Sequence, residues 1–520
     1  MRQPGVSFAT ALHGFSIILG GLGGVRSANA AAASTSAFEP SLKVVSQTFH
    51  KLKLPPNVVQ ITKTKRDNTL DLTAINNITG GGYYAEVTVG TPPQQIVMHL
   101  DTGSSDTWVV AAGADFCGSD ALQRQYGYCT DTFDPDASDS YETAVPGGFS
   151  IQYLDGNRVR GDYFTDRISV GGQTIESQQM GLGTDLQRPS GLMGLGLSDF
   201  VAANRPYATV LENMVAQGYI GRAAYSVWMN DLSADEGEIL FGGIDTSRYY
   251  GRLTTLPIIP TFDGTTRSHY TVSLGSISIR NSTDADPELI TPSTFGGRAI
   301  LDTGSTLSLL PSDVAESIFS AFGIDNNYGV ALVDCELAGS QGDGIALDFA
   351  FDDDGPAVTI RVPMREMVLD IIGSASLAGT NLPFDDACVF GIQDTALFGV
   401  TAENGGDGFV LLGDTFLRSA YVVYDEPNMQ VGIAQAVLGD DVSADSSGDI
   451  VELASGQRSI PTATGVDPSR ASDNIVNHDE DDGDDDNAAG RIGEGGMAGM
   501  GVVGASVLLA SSVVVLTAVL

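Results

Sequence analysis

Apolar residues lie along this chain in short runs and alternating patterns, and helix-favouring runs are short. Residues 83–89 alternate between apolar and polar positions, which predicts a half-buried β-strand. Residues 96–100 form an apolar strand, and the segments 149–153 and 158–169 flank a Leu-Asp-Gly-Asn sequence that is typical of a β-hairpin. Glycine is abundant, with 63 residues of 520. These patterns predict an all-β protein that is long enough for two domains.

The strongest motif occurs twice. Residues 97–110 and 299–311 each contain an apolar strand that runs into Asp-Thr-Gly-Ser and then becomes apolar again. Each motif therefore places an aspartate, Asp101 or Asp302, at the end of a buried strand, where a lone carboxylate is costly. Two such aspartates that face each other and share one proton lower this cost, and one then acts as a base while the other acts as an acid.

The doublet resembles the pepsin-like aspartic proteases, and the resemblance covers most of residues 83–436. Residues 191–196 and 410–414 are similar to the family's strand beneath each aspartate loop. The resemblance implies a bilobal fold with an active-site cleft between two similar lobes, and it implies that Asp101 and Asp302 are the catalytic pair. The implied supporting residues are the hydroxyl donors Ser104 and Ser305, the loop-locking Thr102 and Thr303, and the turn glycines Gly103 and Gly304.

The predicted hairpin corresponds in this family to the flap that closes over substrate. The resemblance implies that Tyr153 is the flap tyrosine and that the Trp108 indole binds it, with ordinary core packing as the alternative for Trp108. The family usually has glycine after this tyrosine, whereas this chain has Leu154, followed by Asp155 and Gly156. A carboxylate at Asp155 would overhang the pocket beside the cleaved bond, which favours Lys or Arg in the substrate. The alternative is a solvated turn aspartate.

The start of the chain predicts processing. A basic start, an apolar stretch over residues 15–25 and Ala28-Asn29-Ala30 predict a signal peptide over residues 1–30, with a retained membrane anchor as the alternative. Residues 31–66 end in Lys65-Arg66 and predict a propeptide. Every lysine precedes Asp67, and a basic prosegment blocks the acidic cleft in the family. The alternative is a disordered leader without a regulatory role.

The rest of the chain divides into four parts. The predicted lobes span residues 67–250 and 251–438, and residues 439–487 are predicted to be a disordered acidic stalk rich in Ser, Asp and Gly. Residues 488–520 combine small residues, a Gly-rich spacer and an apolar tail, which is typical of a glycosylphosphatidylinositol-anchor signal, with attachment at Asn487. A transmembrane helix is the alternative, but no Lys or Arg follows the tail.

Charge and cysteine content narrow the function classes. The net charge of −39 argues against nucleic acid or an anionic membrane surface as a partner. It favours a protein that works in acidic surroundings, and the alternative is that the low pI only aids solubility. Four cysteines allow 3 disulfide connectivities. The family resemblance favours the sequential pairs Cys117–Cys129 and Cys335–Cys388. Asn77 and Asn281 begin glycosylation triplets, which also occur by chance.

Neither a zinc motif nor a nucleophilic-serine elbow is present in the sequence, so we expect no metal and no cofactor. We therefore expect a secreted, surface-anchored, monomeric aspartic endopeptidase that cuts extended polypeptides at acidic pH. Its layout resembles the yeast yapsins, which are surface-anchored and cut at basic residues. The alternative is an inactive relative that serves as a surface binding or cell-wall interaction protein.

Overall fold

The computed structural model describes residues 42–51, 62–63, 68–69, 82–126, 129, 131–154, 156–261, 265–283, 285–351, 358–371, 382–401, 408–439 and 449–471. The predicted signal peptide and anchor signal lie outside these ranges, as do Asn77, Asp155, Asn487 and most of the predicted propeptide.

Twenty-nine strands dominate the described ranges. The first thirteen are Val45–Lys51 (β1), Thr62–Lys63 (β2), Asn68–Thr69 (β3), Tyr83–Val89 (β4), Gln94–Asp101 (β5), Trp108–Val110 (β6), Glu142–Gln152 (β7), Arg158–Val170 (β8), Gln173–Leu186 (β9), Gly191–Gly194 (β10), Ala224–Trp228 (β11), Glu236–Phe241 (β12) and Gly243–Asp245 (β13). The others are Thr254–Pro257 (β14), Thr271–Leu274 (β15), Ser276–Arg280 (β16), Glu288–Leu289 (β17), Gly297–Leu301 (β18), Ser308–Leu310 (β19), Leu332–Asp334 (β20), Ala346–Phe351 (β21), Val358–Pro363 (β22), Val368–Leu369 (β23), Ala387–Phe390 (β24), Ile392–Asp394 (β25), Phe409–Leu412 (β26), Ala420–Asp425 (β27), Gln430–Gln435 (β28) and Ile450–Glu452 (β29).

The helices are short, as the sequence predicts. The α-helices are Asp115–Gly118 (α1), Asp120–Tyr126 (α2), Val210–Ala216 (α3), Ser312–Phe322 (α4) and Asp414–Leu417 (α5). Single 3₁₀ turns span Pro135–Ala137, Ser198–Phe200, Thr246–Arg248, Cys335–Ala338, Met364–Glu366, Thr395–Phe398 and Pro468–Arg470. Within the described ranges, no helix is long and apolar enough to cross a bilayer.

A 13-stranded sheet connects both halves of the chain, in the order β14-β28-β27-β11-β12-β1-β4-β5-β10-β6-β9-β8-β7. Its burial follows the sequence pattern: β4 alternates between buried and more exposed residues, whereas every residue of β27 is buried. Strand β1 comes from the predicted propeptide and pairs with both β12 and β4. The second half adds a 5-stranded, a 4-stranded and a 3-stranded sheet.

One three-stranded unit occurs in each half and carries the Asp-Thr-Gly-Ser motif. In the first half, β10 pairs in parallel with β5 and antiparallel with β6. In the second half, β26 pairs in parallel with β18 and antiparallel with β19. The strands predicted to lie beneath the aspartate loops are therefore the central strands of these units. The prediction of an all-β fold with two similar halves is confirmed.

The predicted disordered stalk is wrong in part, because residues 449–471 pack against the folded chain. Strand β29 pairs with β13, and the Leu453 and Ile460 side chains are buried with Trp228 and Leu253. The prediction was based on composition. The segment has few large apolar residues, but these few are buried against apolar residues of the preceding fold. Arg222 also donates hydrogen bonds to the carbonyls of Gln457 and Ser459.

The sequential cysteine pairing is confirmed. Cys117 and Cys129 form one disulfide, and Cys335 and Cys388 form the other. Each bridge closes a loop within one half of the chain, so neither bridge links the two halves covalently.

Candidate active site

The two Asp-Thr-Gly-Ser loops lie against each other. A Cβ atom added to Gly103 would lie 2.5 Å from Asp302 Oδ1, and one added to Gly304 would lie 2.3 Å from Asp101 Oδ1. Both distances are far below van der Waals contact. Each glycine is thus required by the close approach of the opposite aspartate, and the structure brings the two predicted catalytic carboxyl groups together.

Both carboxyl groups are held by the same kind of hydrogen bonds. Gly103 N donates to Asp101 Oδ1 over 2.8 Å, and Ser104 Oγ donates to Asp101 Oδ2. The second loop repeats this pattern, with a Gly304 N bond of 2.8 Å and a Ser305 Oγ bond of 2.7 Å to Asp302. Both carboxyl groups therefore have a hydroxyl donor on one oxygen.

The two threonines lock the loops together. Thr102 Oγ1 donates to the Leu301 carbonyl over 2.8 Å and accepts the Thr303 amide over 3.0 Å. Thr303 Oγ1 donates to the Leu100 carbonyl over 3.0 Å and accepts the Thr102 amide over 3.1 Å. These four reciprocal bonds are buried, so they are shielded from competition with water.

The environment of the pair favours a retained proton. Asp101 and Asp302 are each 4% exposed. Burial raises the pKa of Asp101 to about 8, and repulsion from the Asp302 carboxylate adds to the rise, while Ser104 and Arg188 oppose it. Because two adjacent carboxylates resist joint ionisation, the pair keeps one proton through the acidic range.

The β7–β8 hairpin brings Tyr153 to the cleft. The Tyr153 amide donates to the Asn157 carbonyl over 2.9 Å, and Gly156 adopts a φ of +83°, which suits glycine in this tight turn. The Trp108 indole donates to the Tyr153 hydroxyl over 2.8 Å. Both predicted partners are therefore in contact, although Trp108 also belongs to the core.

The Leu154 side chain, where the family usually has glycine, contacts the second half of the chain. It packs against a buried apolar cluster that contains Leu309 and Leu411. It also lines the cleft together with both aspartates. The flap tip is thus placed across the cleft, and its apolar side chain contributes to that placement.

Two residues at the cleft, His99 and Arg188, were not predicted from the sequence. His99 lines the cleft and stacks on Tyr84 with ring centroids 4.9 Å apart. Burial lowers the pKa of His99 to about 3, and the Arg188 charge contributes, so the imidazole is neutral. Arg188 also lines the cleft. Arg188 lies three residues before β10, the strand beneath the Asp101 loop, and this position in the sequence could have indicated that it reaches the cleft.

One cluster of possible metal ligands occurs in the part of the chain that the structure describes: Cys335, Asp370 and Cys388. The two cysteines form a disulfide, which removes the thiolates that a metal would bind. This cluster therefore carries no metal site.

Comparisons with known proteins show what the chain is similar to. Residues 82–436 match the family model of the eukaryotic aspartyl proteases. The probable aspartic-type endopeptidase opsB of Aspergillus oryzae is 34% identical over 411 residues, which cover 78% of this chain and 77% of the relative. A probable aspartic-type endopeptidase OPSB of Arthroderma benhamiae is 36% identical over 400 residues, covering 74% of this chain and 73% of the relative.

Secreted aspartic protease 3 of Candida albicans is 30% identical over 415 residues, which cover 78% of this chain and 92% of that protein. The family match spans both aspartate loops, the flap hairpin and the strands beneath them. The chain belongs to the eukaryotic aspartyl protease family and is an aspartic-type endopeptidase.

Proposed function

We propose that Asp101 and Asp302 are the catalytic dyad and that they activate a water molecule between them for attack on a peptide carbonyl. The observation that carries this proposal is the close, mutually hydrogen-bonded packing of the two Asp-Thr-Gly-Ser loops. The ionised member removes a proton from water, and the protonated member donates to the carbonyl oxygen. No covalent intermediate is needed, because the nucleophile is water.

The supporting residues each have a geometric task in this mechanism. Ser104 and Ser305 hold the outer carboxylate oxygens, so the shared proton stays between the inner ones. Thr102 and Thr303 keep the two loops in register. Tyr153 covers the dyad from the flap and excludes water other than the nucleophile from the reacting carbonyl. The substrate is an extended polypeptide that lies in the cleft, and one chain supplies both aspartates, so the enzyme acts as a monomer.

The dyad also determines the pH range. The mechanism needs one protonated and one ionised carboxyl group, and burial together with repulsion raises the pKa of Asp101. Acidic surroundings therefore favour the active, singly protonated pair. The excess of acidic residues over the whole chain agrees with this range.

We also propose that the enzyme is secreted and anchored at the cell surface through a glycosylphosphatidylinositol lipid on Asn487. Support comes from the sequence signals at both ends and from the name of the Candida albicans relative, a secreted protease. Asn281 is exposed beyond β16, which suits glycosylation. Release of the protein from cells by a phosphatidylinositol-specific phospholipase C tests the anchor, and an Asn487→Gln variant should be secreted unanchored.

A preference for Lys or Arg beside the cleaved bond remains a proposal based on Asp155 and on the layout shared with yapsins. Cleavage profiles of a peptide library by the wild type and by Asp155→Ala test it. If the ratio of basic to aromatic cleavage is unchanged in Asp155→Ala, this preference has another origin.

The decisive experiment measures hydrolysis of a denatured protein by the processed enzyme at acidic pH. We expect hydrolysis that a statine-type inhibitor blocks and that Asp101→Asn and Asp302→Asn each abolish. A correctly folded wild type without hydrolysis would instead support the alternative, an inactive surface binding protein. Processing itself is tested by replacing Lys65 and Arg66, which should prevent removal of the propeptide.

A further inference from the structure

Arg188 contacts the flap tyrosine from the body of the first half. Its guanidinium carbon lies 4.0 Å from the centroid of the Tyr153 ring, within the range of a cation–π contact. Arg188 lines the cleft with Asp101, Asp302 and Tyr153. The same tyrosine accepts a hydrogen bond from Trp108 on its hydroxyl. The Tyr153 side chain is thus bound at two points, at its ring face and at its hydroxyl.

The two partners of Tyr153 are attached to the same rigid floor. Arg188 lies between β9 and β10, three residues before Gly191. Strand β10 pairs with Trp108 on one side and with Asp101 on the other. Tyr153, by contrast, follows the last residue of β7, at the turn of the hairpin. A contact between Arg188 and Tyr153 therefore joins the hairpin turn to the strand that supports the dyad.

We propose that Arg188 is a positioning residue that latches Tyr153 over the two aspartates and thereby strengthens the binding of an extended substrate. The proposal depends on the dyad function described above, since the latch acts on the flap of that site. Arg188 need not touch the substrate for this role. Its contact with the ring face favours the closed flap, and opening the flap breaks that contact.

The charge of Arg188 supplies a second readout. The titratable groups around Asp101 are Asp302 from the facing loop, Arg188 from the floor, Tyr153 from the hairpin, His99 from the same strand and Tyr84 from the neighbouring strand. On the far side, His269 and Asp414 interact with Asp302. Burial keeps both histidines neutral by lowering their pKa values. Loss of the Arg188 charge should therefore raise the pKa of Asp101 and move the alkaline limb of the activity profile to higher pH.

The kinetic test compares Arg188→Met, which removes charge and stacking cation, with Arg188→Lys, which keeps a cation. For Arg188→Met we expect KM to rise about fivefold to tenfold and kcat to fall by less than about threefold. Arg188→Lys should keep the wild-type pH profile and recover part of the loss in KM. The matched control is Arg248→Met, because Arg248 makes the same contact with Trp228, also at 4.0 Å, away from the cleft-lining residues.

A fluorescence test needs no activity. The chain has two tryptophans, so Trp228→Phe leaves Trp108, which is fully buried and bound to Tyr153, as the only reporter. Adding Arg188→Met in this background should shift Trp108 emission to longer wavelength and increase its quenching by acrylamide, because the flap opens more often. Arg188→Lys should lie between the two.

The outcomes separate the two proposals. If the folded wild type does not hydrolyse protein, the dyad function fails, and the fluorescence test still decides the latch. If the wild type is active, but Arg188→Met changes KM by less than about twofold and leaves Trp108 emission unchanged, the latch alone is wrong. A rise in KM without any change in Trp108 emission or quenching also overturns the latch, because Arg188 would then act on the substrate directly.

Discussion

The two aspartate loops have nearly the same local structure but different surroundings. Each aspartate accepts a bond from the glycine two residues later and from the serine three residues later. Each threonine repeats the cross-loop bonds of the other. At the level of the carboxyl groups the site is therefore close to symmetric, which suits the proposed sharing of one proton.

The symmetry ends a few residues beyond each loop. The Asp101 loop leads to Asp106, whose buried carboxyl group accepts bonds from the Tyr163 and Tyr207 hydroxyls, each over 2.8 Å. The position that corresponds to Asp106 in the second loop is Leu307, which belongs to an apolar cluster. The pair two residues further on also differs: Trp108 binds Tyr153, whereas Leu309 packs with Leu411.

This difference shows which parts of the site need two equal contributions. In the proposed mechanism two carboxyl groups share one proton, and the two similar loops hold them in similar geometry. In the proposed function only one hairpin covers the substrate, and its partners Trp108 and Arg188 lie on that side of the cleft, as does the Asp106 network. The second half instead provides an apolar surface against which Leu154 packs.

The largest expected effect comes from either aspartate. Asp101→Asn and Asp302→Asn should each reduce kcat/KM at least about a thousandfold, and the double variant should lose little more, because the pair works as one unit. Hydrolysis of a quenched peptide at acidic pH measures this. A large residual activity in only one of the two variants would break the symmetry of the dyad.

The pH dependence of stability shows whether Asp101→Asn loses activity because of its chemistry or because it is misfolded. The folded-state pKa of Asp101 lies above its unfolded value of 3.8, at about 8, so its contribution to stability is full below 3.8 and is lost as pH rises towards 8. Asparagine does not titrate. The variant should therefore lose less stability than the wild type between acidic and neutral pH, as measured by thermal unfolding.

The buried histidines beside the two loops should produce the next effect. His99 and His269 have pKa values lowered by burial to about 3 and about 4, against 6.5 in the unfolded chain. Below pH 6.5 the unfolded chain binds protons that the folded chain does not, so each histidine lowers stability on acidification, by at most about 1.4 kcal/mol per pH unit.

Replacing each histidine by leucine tests the pH range over which it lowers stability. In urea titrations, His99→Leu should flatten the acid-side slope from pH 6.5 down to about 3, whereas His269→Leu should flatten it only down to about 4. A constant offset from altered packing does not affect the slope. Equal slopes in the wild type and in both variants would show that these imidazoles titrate normally in the folded state.

Thr102→Val and Thr303→Val should have similar, moderate effects. Valine keeps the shape of threonine but leaves a buried carbonyl and a buried amide of the opposite loop without their partner. We expect each variant to lose about 1–3 kcal/mol of unfolding free energy. A double-mutant cycle in urea should show coupling between them, whereas strictly additive losses would mean that the loops are locked by other contacts.

The smallest effect is expected at the asymmetric flap contact. Tyr153→Phe removes the hydroxyl that accepts the Trp108 hydrogen bond but keeps the ring on which Arg188 stacks. A loss of about 1 kcal/mol corresponds to a decrease in kcat/KM of about fivefold. Tyr163→Phe is the matched control. In this variant Asp106 keeps its Tyr207 and Ala202 donors, so the activity of the variant should fall less than that of Tyr153→Phe.

Local patterns predicted the elements whose residues are adjacent in sequence. The strands before Asp101 and Asp302 and the flap hairpin follow from apolar runs, alternation and turn residues. The failures involve segments whose partners are distant. Residues 449–471 have little apolar content, yet Ile460 and Leu453 pack against residues from both halves of the chain. No local pattern contains that information.

The sequence by itself shows the two Asp-Thr-Gly-Ser motifs. These motifs predicted the fold class, the aspartate pair and the residues that support the pair. This is possible because the turn glycine, the serine and the threonine act within a few residues of each aspartate. Only the tertiary structure decided that β1 pairs between β12 and β4, that His99 is a buried neutral base and that Arg188 stacks on Tyr153. The physical reason is that burial, charge interactions and stacking depend on distances between residues far apart in the chain, which the order of the residues does not specify locally.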